Sequence, residues 1–229
     1  MRDNFAVHSA LLTNLRLSDS NFPAGNFGFS NGLEAVLNSV DTIDQNNLTN
    51  IIRDLIEGRW KSSDCVALRK CYQAMHSISE IVEIDQELDS SSTSSVTRRG
   101  SANNGRALLS TAATLGDSRS KEYLALIKEN NAIGHIPIAQ ALYWHHNGLT
   151  ETEAIHLSFY SIVSNYCQVA VRLGAIGALQ AQKTISILLR EFSLTESGEF
   201  WQGFPSSFTP YSDIATLKLS QQEIRLFRN

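Results

Sequence analysis

The hydrophobic pattern of the chain is strongest over residues 154–182, AIHLSFYSIVSNYCQVAVRLGAIGALQAQ. Ile155, Phe159, Ile162, Tyr166, Val169, Leu173 and Ile176 follow one another in alternating steps of four and three, which places them on one side of a helix. Tyr160, Val163, Cys167 and Ala170 cover the adjacent side, and no Asp, Glu, Lys or Arg occurs between Glu153 and Arg172. The spacing predicts a helix covered by protein over most of its circumference. What is left is a thin polar row, Ser161, Asn165, Gln168 and Arg172. A solvent-facing row would carry Lys and Glu, so uncharged groups ending in one arginine predict a seam that is buried or meets a partner. Gly174 and Gly177 then break the pattern. Each glycine costs about 1 kcal/mol against alanine inside a helix, so the pair predicts a turn or a close backbone contact.

The same period recurs along the rest of the chain. Residues 6–17 form a first helix, stopped by Ser18, Asp19 and Ser20. NFPAGNFGFSNGLEAVL follows, with Pro23, Gly25, Gly28 and Gly32 interleaved with Phe22, Phe27 and Phe29, a loop whose aromatic anchors should order it by packing. Ser30 is placed to cap a helix from Asn31, with Glu34 at its positive end. Leu48, Ile51, Ile52, Leu55, Ile56 and Trp60 mark an amphipathic helix over 44–60, and Asp64 opens another with Cys65, Leu68, Tyr72 and Met75 on one face. Residues 89–95, a serine and threonine run, are too polar to pack and are expected to be a mobile loop. A helix through Leu109 and Ala113 takes over after Gly105 and Arg106, and GDSRS at 116–120 turns the chain into a short helix with Tyr123, Leu124 and Ile127.

Pro137 suits the first turn of a helix over 136–146, which Asn147 and Gly148 end. Thr150 and Glu153 form a capping box for the central helix, and the short connection predicts an antiparallel hairpin of the two. Beyond the glycine break, Ala178, Ala181, Ile185, Leu188 and Phe192 continue a helical stripe. No period-two strand is evident. The fold class expected is therefore all-α: a single-domain helical bundle of roughly ten helices with its core in 1–194. Residues 195–229 form a partly ordered C-terminal tail that docks on the body or orders on a partner, because Trp201, Phe204, Phe208, Tyr211 and Phe227 are too many apolar anchors for a solvated linker.

Composition narrows the function more than the fold. A net charge of −4 with no Lys/Arg run longer than a pair such as Arg98 and Arg99 gives no basic stripe for nucleic acid. Three cysteines, Cys65, Cys71 and Cys167, match neither a CxxC motif nor a secreted disulfide framework and fit a reducing cytoplasm. The uncharged run at 154–171 carries His156, Asn165, Gln168 and serines, so membrane insertion is not expected. Ten helical residues span about 15 Å, which keeps His135 and His145 from sharing an ion. His156 comes within reach of His145 or His146 across the hairpin, yet no carboxylate or cysteine completes a set, and no metal site is expected. No Gly-x-Ser-x-Gly and no Gly-Lys-Ser/Thr is present. A helical chain with polar seams, aromatic loops and no chemical motif points to a binding protein, not an enzyme.

Three blocks, SDSNFPAGNFGFSNGLEA at 18–35, TRRGSANNGRALL at 97–109 and HIPIAQALYWHHNGLTETEA through AVRLGAIGALQAQ at 135–182, together with the closing PYSDIATLKLSQQEIRLFRN, resemble the urease accessory protein F family over nearly the whole chain. The family pattern falls on Asp19, Pro23, Gly25, Phe27, Ser30, Gly32, Leu33 and Glu34, on Ser101, Gly105 and Arg106, on His135, Arg172, Leu173, Gly177 and Gln182, and on Arg225, Leu226 and Phe227. Asn26, Phe29, Ala175, Ala178, Ala181 and Lys218 depart from it, standing where glycine, histidine, proline, glutamine, glycine and histidine are frequent.

The resemblance implies a cytoplasmic, non-catalytic, dimer-forming subunit. It would bind urease accessory protein D/H, recruit the nickel-carrying GTPase G, and through the complex serve nickel insertion into apo-urease, holding no cofactor of its own. On that resemblance Pro23, Gly25, Phe27, Ser30, Glu34, Ser101, Arg106, Arg172, Gln182, Arg225 and Phe227 are the candidate partner-binding residues. Two alternatives stand beside it: a regulator of the GTPase acting through Arg106 or Arg172, and a plain ligand-binding helical domain. Arg172 also has a structural reading, an arginine buried by the fold and bonded to carbonyls at the glycine break.

Overall fold

The computed structural model describes residues 12–17, 22, 29–40, 43–92, 94–195 and 203–220. All regular structure among them is helical. The helices are α1 (residues 12–17), α2 (Leu33–Leu37), α3 (Gln45–Leu55), α4 (Cys65–Gln73), α5 (Ile78–Ser91), α6 (Ser95–Thr114), α7 (Ser118–Lys128), α8 (Ile136–His146), α9 (Glu151–Arg172), α10 (Ala178–Thr195) and α11 (Pro210–Ser220). The chain is all-α and forms a single domain. None of the described helices is long and apolar enough to cross a membrane.

Short polar side chains start five of these helices, α3, α5, α6, α7 and α9. Asp44 accepts from the Asn47 amide at 2.8 Å, Ser77 from Glu80 and Ser94 from Thr97, both at 3.3 Å, and Asp117 from Arg119 at 3.0 Å. Such caps satisfy amides that the first turn leaves open. The capping box at α9 is complete: Thr150 Oγ1 accepts from the Glu153 amide at 3.3 Å, and the Glu153 carboxylate accepts from the Thr150 amide at 2.8 Å.

Three local expectations are corrected. Asp64 does not open a new helix; the chain stays helical from Gln45 to Gln73, with a π-helical segment over Ile56–Asp64 joining α3 to α4. The serine-rich stretch is much shorter than a loop over 89–95, since α5 runs to Ser91 and Ser94 already caps α6. Its serines are consumed by helix ends: Ser90 and Ser91 donate to the Glu87 and Leu88 carbonyls. Finally, α2 has Gly32 at its N-cap with φ 87° and no side-chain cap, so Ser30 does not cap it.

The core is one cluster that reaches from Leu17 to Leu188. α9 contributes Ile155, Phe159, Val163, Tyr166, Cys167 and Val169 to it. The polar row of α9 slopes from interior to solvent, with Ser161 and Asn165 half-buried and Gln168 and Arg172 exposed. Phe159 stacks on Phe192 of α10 at 4.0 Å, and Trp60 of the π segment meets both rings edge-on. This aromatic knot ties the π segment, α9 and α10 together. α8 packs chiefly on α6 and α4. A second, small cluster of Ala35, Val36, Ala215 and Leu219 lies between α2 and α11.

The described part of the tail lies on the body. The Phe208 amide donates to the Gly58 carbonyl at 2.8 Å and the Ser206 amide to the Ser62 carbonyl at 2.9 Å, while the Ser62 hydroxyl donates to the Ser206 carbonyl at 2.7 Å. The tail thus runs along the π segment, where the wider helical turn disturbs the regular backbone ladder.

Candidate partner-binding surface

The candidate residues divide into buried and exposed sets. Ser30, Glu34 and Ser101 are buried, whereas Arg106, Arg172 and Gln182 are exposed. Pro23, Gly25, Phe27, Arg225 and Phe227 lie outside the described residues.

Ser30 and Glu34 sit at the root of the tail's docking site. A Cβ at Gly32 would stand 2.5 Å from the Ser212 hydroxyl, so α11 lies directly on the turn that begins α2. Asn31 at φ 52° and Gly32 at φ 87° are both left-handed there, the conformation that glycine and asparagine tolerate best. The outer side of α11 is apolar as well: Tyr211, Ile214 and Leu217 are exposed, and Phe204 and Phe208 lead into them at 73% and 81% exposure. These five rings and chains form the largest run of exposed apolar residues among those described.

Ser101, Gly105 and Arg106 serve one junction. The Ser101 hydroxyl accepts from the Ile136 amide at 3.3 Å, and Arg106 Nε donates to the Ile133 carbonyl at 2.8 Å. Between them, a Cβ at Gly105 would stand 2.1 Å from the Gly134 carbonyl oxygen. The same 133–135 backbone is held from the other side by Asp85, whose carboxylate accepts from the amides of Ile133, Gly134 and His135 and from the Tyr123 hydroxyl at 2.6–3.1 Å. His135 adds a contact from Nε2 to Asp89 at 3.0 Å.

Arg172 closes α9 and Gln182 lies in the first turns of α10, so both border the Gly174–Gly177 connection. Arg172 is exposed, which corrects the reading of a buried arginine. The break is built as a turn by Gly174 at φ 71°, with the Gly177 amide donating to Gln180 Oε1 at 2.9 Å.

The other side chains with potential chemistry have structural neighbours. His145 meets Tyr72, His156 meets Phe192 and His146 faces Asp117, so the hairpin histidines diverge. Among the described residues no three His, Cys, Asp or Glu side chains are grouped to hold a metal. All three cysteines are buried. Burial pushes the thiols of Cys65 and Cys167 up to about 12 and raises that of Cys71, which keeps them protonated and weakly nucleophilic.

A family model described as UreF matches residues 43–189. The chain belongs to the UreF family. It is 30% identical to the urease accessory protein UreF of Bacillus sp. (strain TB-90), over 95% of this chain and 98% of that protein. The counterparts in Corynebacterium glutamicum (strain R) and Trichodesmium erythraeum (strain IMS101) are each 28% identical, over 93% and 96% of this chain and 95% and 97% of theirs. The stretch matched by the UreF model runs from just before α3 into α10. It therefore includes the Ser101–Arg106 junction and the Arg172–Gln182 turn, while α2 and α11 lie outside it.

Two features escaped sequence reasoning. Asp85 stands four residues after Ile81 and three before Leu88, on the buried face of α5; a carboxylate at core spacing was the available signal. Arg59 likewise continues the buried Ile52, Leu55 and Ile56 face into the π segment. There it meets Asp64 at 3.7 Å, and burial raises the Asp64 carboxyl against the opposing pull of Arg59 and His135.

Proposed function

We propose that this chain is a non-catalytic scaffold for urease maturation, bridging urease accessory protein D/H and the GTPase G so that nickel is inserted into apo-urease. The relatives' shared name, urease accessory protein, supports the general role. One observation supports the scaffold reading above others: the exposed apolar row of Tyr211, Ile214 and Leu217 with Phe204 and Phe208. Exposed apolar area of this kind is the usual form of a protein-binding face. In this reading accessory protein D/H covers α11, the chain acts in the cytoplasm as a homodimer, and nickel is cargo of the complex and not a resident cofactor.

Deleting the gene tests the role as a whole: urease activity should vanish while apo-urease still accumulates, and normal activity in the deletion rejects it. Ile214→Glu tests the surface. It should abolish co-purification with accessory protein D/H while leaving the helical circular dichroism spectrum unchanged, and an intact complex would move the interface elsewhere.

The exposure of Arg106 and Arg172 keeps a second reading in play, in which one of them stabilises charge in the partner's GTP hydrolysis. Arg172→Ala should then slow hydrolysis in the assembled complex without weakening assembly. Loss of assembly alone would return this arginine to the scaffold.

A further inference from the structure

Ser161 and Asn165, the inner half of the polar row of α9, form one wall of a small open cleft of about 40 Å³. Its apolar walls are Trp60, Ile136, Pro137 and Ile162. Arg59 enters from the π segment with its side chain only 11% exposed, and its nearest carboxylate, on Asp64, lies at 3.7 Å, beyond hydrogen-bond distance. Among the described residues the Arg59 guanidinium donates no hydrogen bond. Asn104, 2% exposed, lines the same cleft, and its Oδ1 accepts none. The Gln140 side chain, also lining the cleft, has no hydrogen bond among the described residues either.

Two other polar groups of the cleft are paired, whereas the Ser161 hydroxyl and the Asp64 carboxylate line it without a hydrogen bond among the described residues. Asn31 donates to Asn165 at 3.1 Å, and the Trp60 indole donates to the Ser158 hydroxyl at 2.9 Å. The unmet capacity therefore includes a planar cationic donor, an amide and an acceptor, carried by residues that line one cleft beside the Asp64 carboxylate and the Ser161 hydroxyl. Buried groups of these kinds demand partners.

We propose that this cleft binds a carboxylate group, with the Arg59 fork holding its two oxygens, Gln140 donating to it, and Asn104 Oδ1 accepting from an N–H or O–H next to that carboxylate on the same ligand. A guanidinium matches the two coplanar oxygens of a carboxylate. Phosphate fits less well, because its second charge would face Asp64 with one guanidinium as counter-charge. The same chemistry has two sources, a free small hydroxy acid or the C-terminal carboxylate of a protein chain with its adjacent amide.

Sodium acetate, sodium lactate and N-acetylalanine, titrated into the full chain at constant ionic strength, separate the cases. The probes are the Arg59 Nε–H signal and the Asn104 and Gln140 amide signals in nitrogen–proton NMR spectra. Saturable shifts with the carboxylates and none with sodium chloride are expected. Tighter binding of lactate assigns the site to a free acid, and tighter binding of N-acetylalanine to a chain terminus. Gln140→Glu keeps the size of the side chain but adds like charge, and should weaken every probe by about tenfold or more. Asn104→Ala should erase the advantage of lactate and N-acetylalanine over acetate. Absence of saturation, equal shifts with chloride, or unchanged binding by Gln140→Glu would each overturn the proposal, leaving the cleft as a water site.

Discussion

The Asp85 carboxylate is buried in the α5 face and receives three backbone amides and one phenol. A charge so enclosed is tolerable only because every donor is aimed at it. Asp85→Asn keeps the shape but turns an NH2 toward amide donors, and it should destabilise the chain by about 2–4 kcal/mol in urea unfolding. A loss below about 0.5 kcal/mol, the scale of an ordinary surface change, would show that water replaces these bonds. The thiols obey the opposite logic. Their pKa values are raised by burial, so the unfolded chain loses these protons first. Their contribution is fully present below the ordinary thiol value of 9.0, and stability falls as pH rises toward about 12. Cys65, Cys71 and Cys167 should resist alkylation at pH 8 in the native chain and react in denaturant; fast native labelling would contradict their burial. Of these features Cys65 and Cys167 were legible as apolar-face positions from spacing, whereas Asp85 was not, because its partners come from 123 and 133–135.

Glycine decides how two pairs of elements meet. Gly105 permits α6 to touch the 134–135 backbone, and Gly58 permits the tail to lie on the π segment, where an added Cβ would stand 2.7 Å from the Phe208 carbonyl oxygen. By helix propensity alone either change to alanine should stabilise by about 1 kcal/mol. Packing reverses that at Gly105, where the obstacle is backbone at 2.1 Å. Gly105→Ala should therefore lower the melting temperature, and by more than Gly58→Ala does. Gly58→Ala should instead release the tail, so that chymotrypsin cuts faster at Phe204 and Phe208 while the body melts as before. Unchanged cleavage would mean that the tail is held by α11 alone. The sequence pattern starts the later helix only after Gly105 and Arg106. Gly100 and Gly105 in fact lie inside a helix that runs unbroken from Ser95 to Thr114, since the space they leave is filled by Phe29 and by the 134–135 chain.

At the scale of the molecule, one large core joins α1 to α10 and a separate small cluster joins α2 to α11. Removing residues 203–229 should leave a cooperatively folded body. The expected loss is about 2–4 kcal/mol, the transfer cost of uncovering the α2 cluster, read from denaturant midpoints. The truncated chain should also lose accessory protein D/H, if α11 carries that contact. A body that fails to fold without the tail would show that the two clusters are one cooperative unit.

Spacing alone determined that the chain is helical, which faces of α3, α9 and α10 are apolar, and where α8 and α9 begin, because caps and a period near 3.6 are local properties. Motif blocks spread over the chain placed it in its family. Only the tertiary structure decided that Arg172 is exposed, that Asp64 lies within a continuous helix, and that the polar row of α9 opens into a cleft with Arg59 and Asn104. Each of those outcomes depends on which distant segment supplies the neighbour, and a residue's own periodicity carries no record of that.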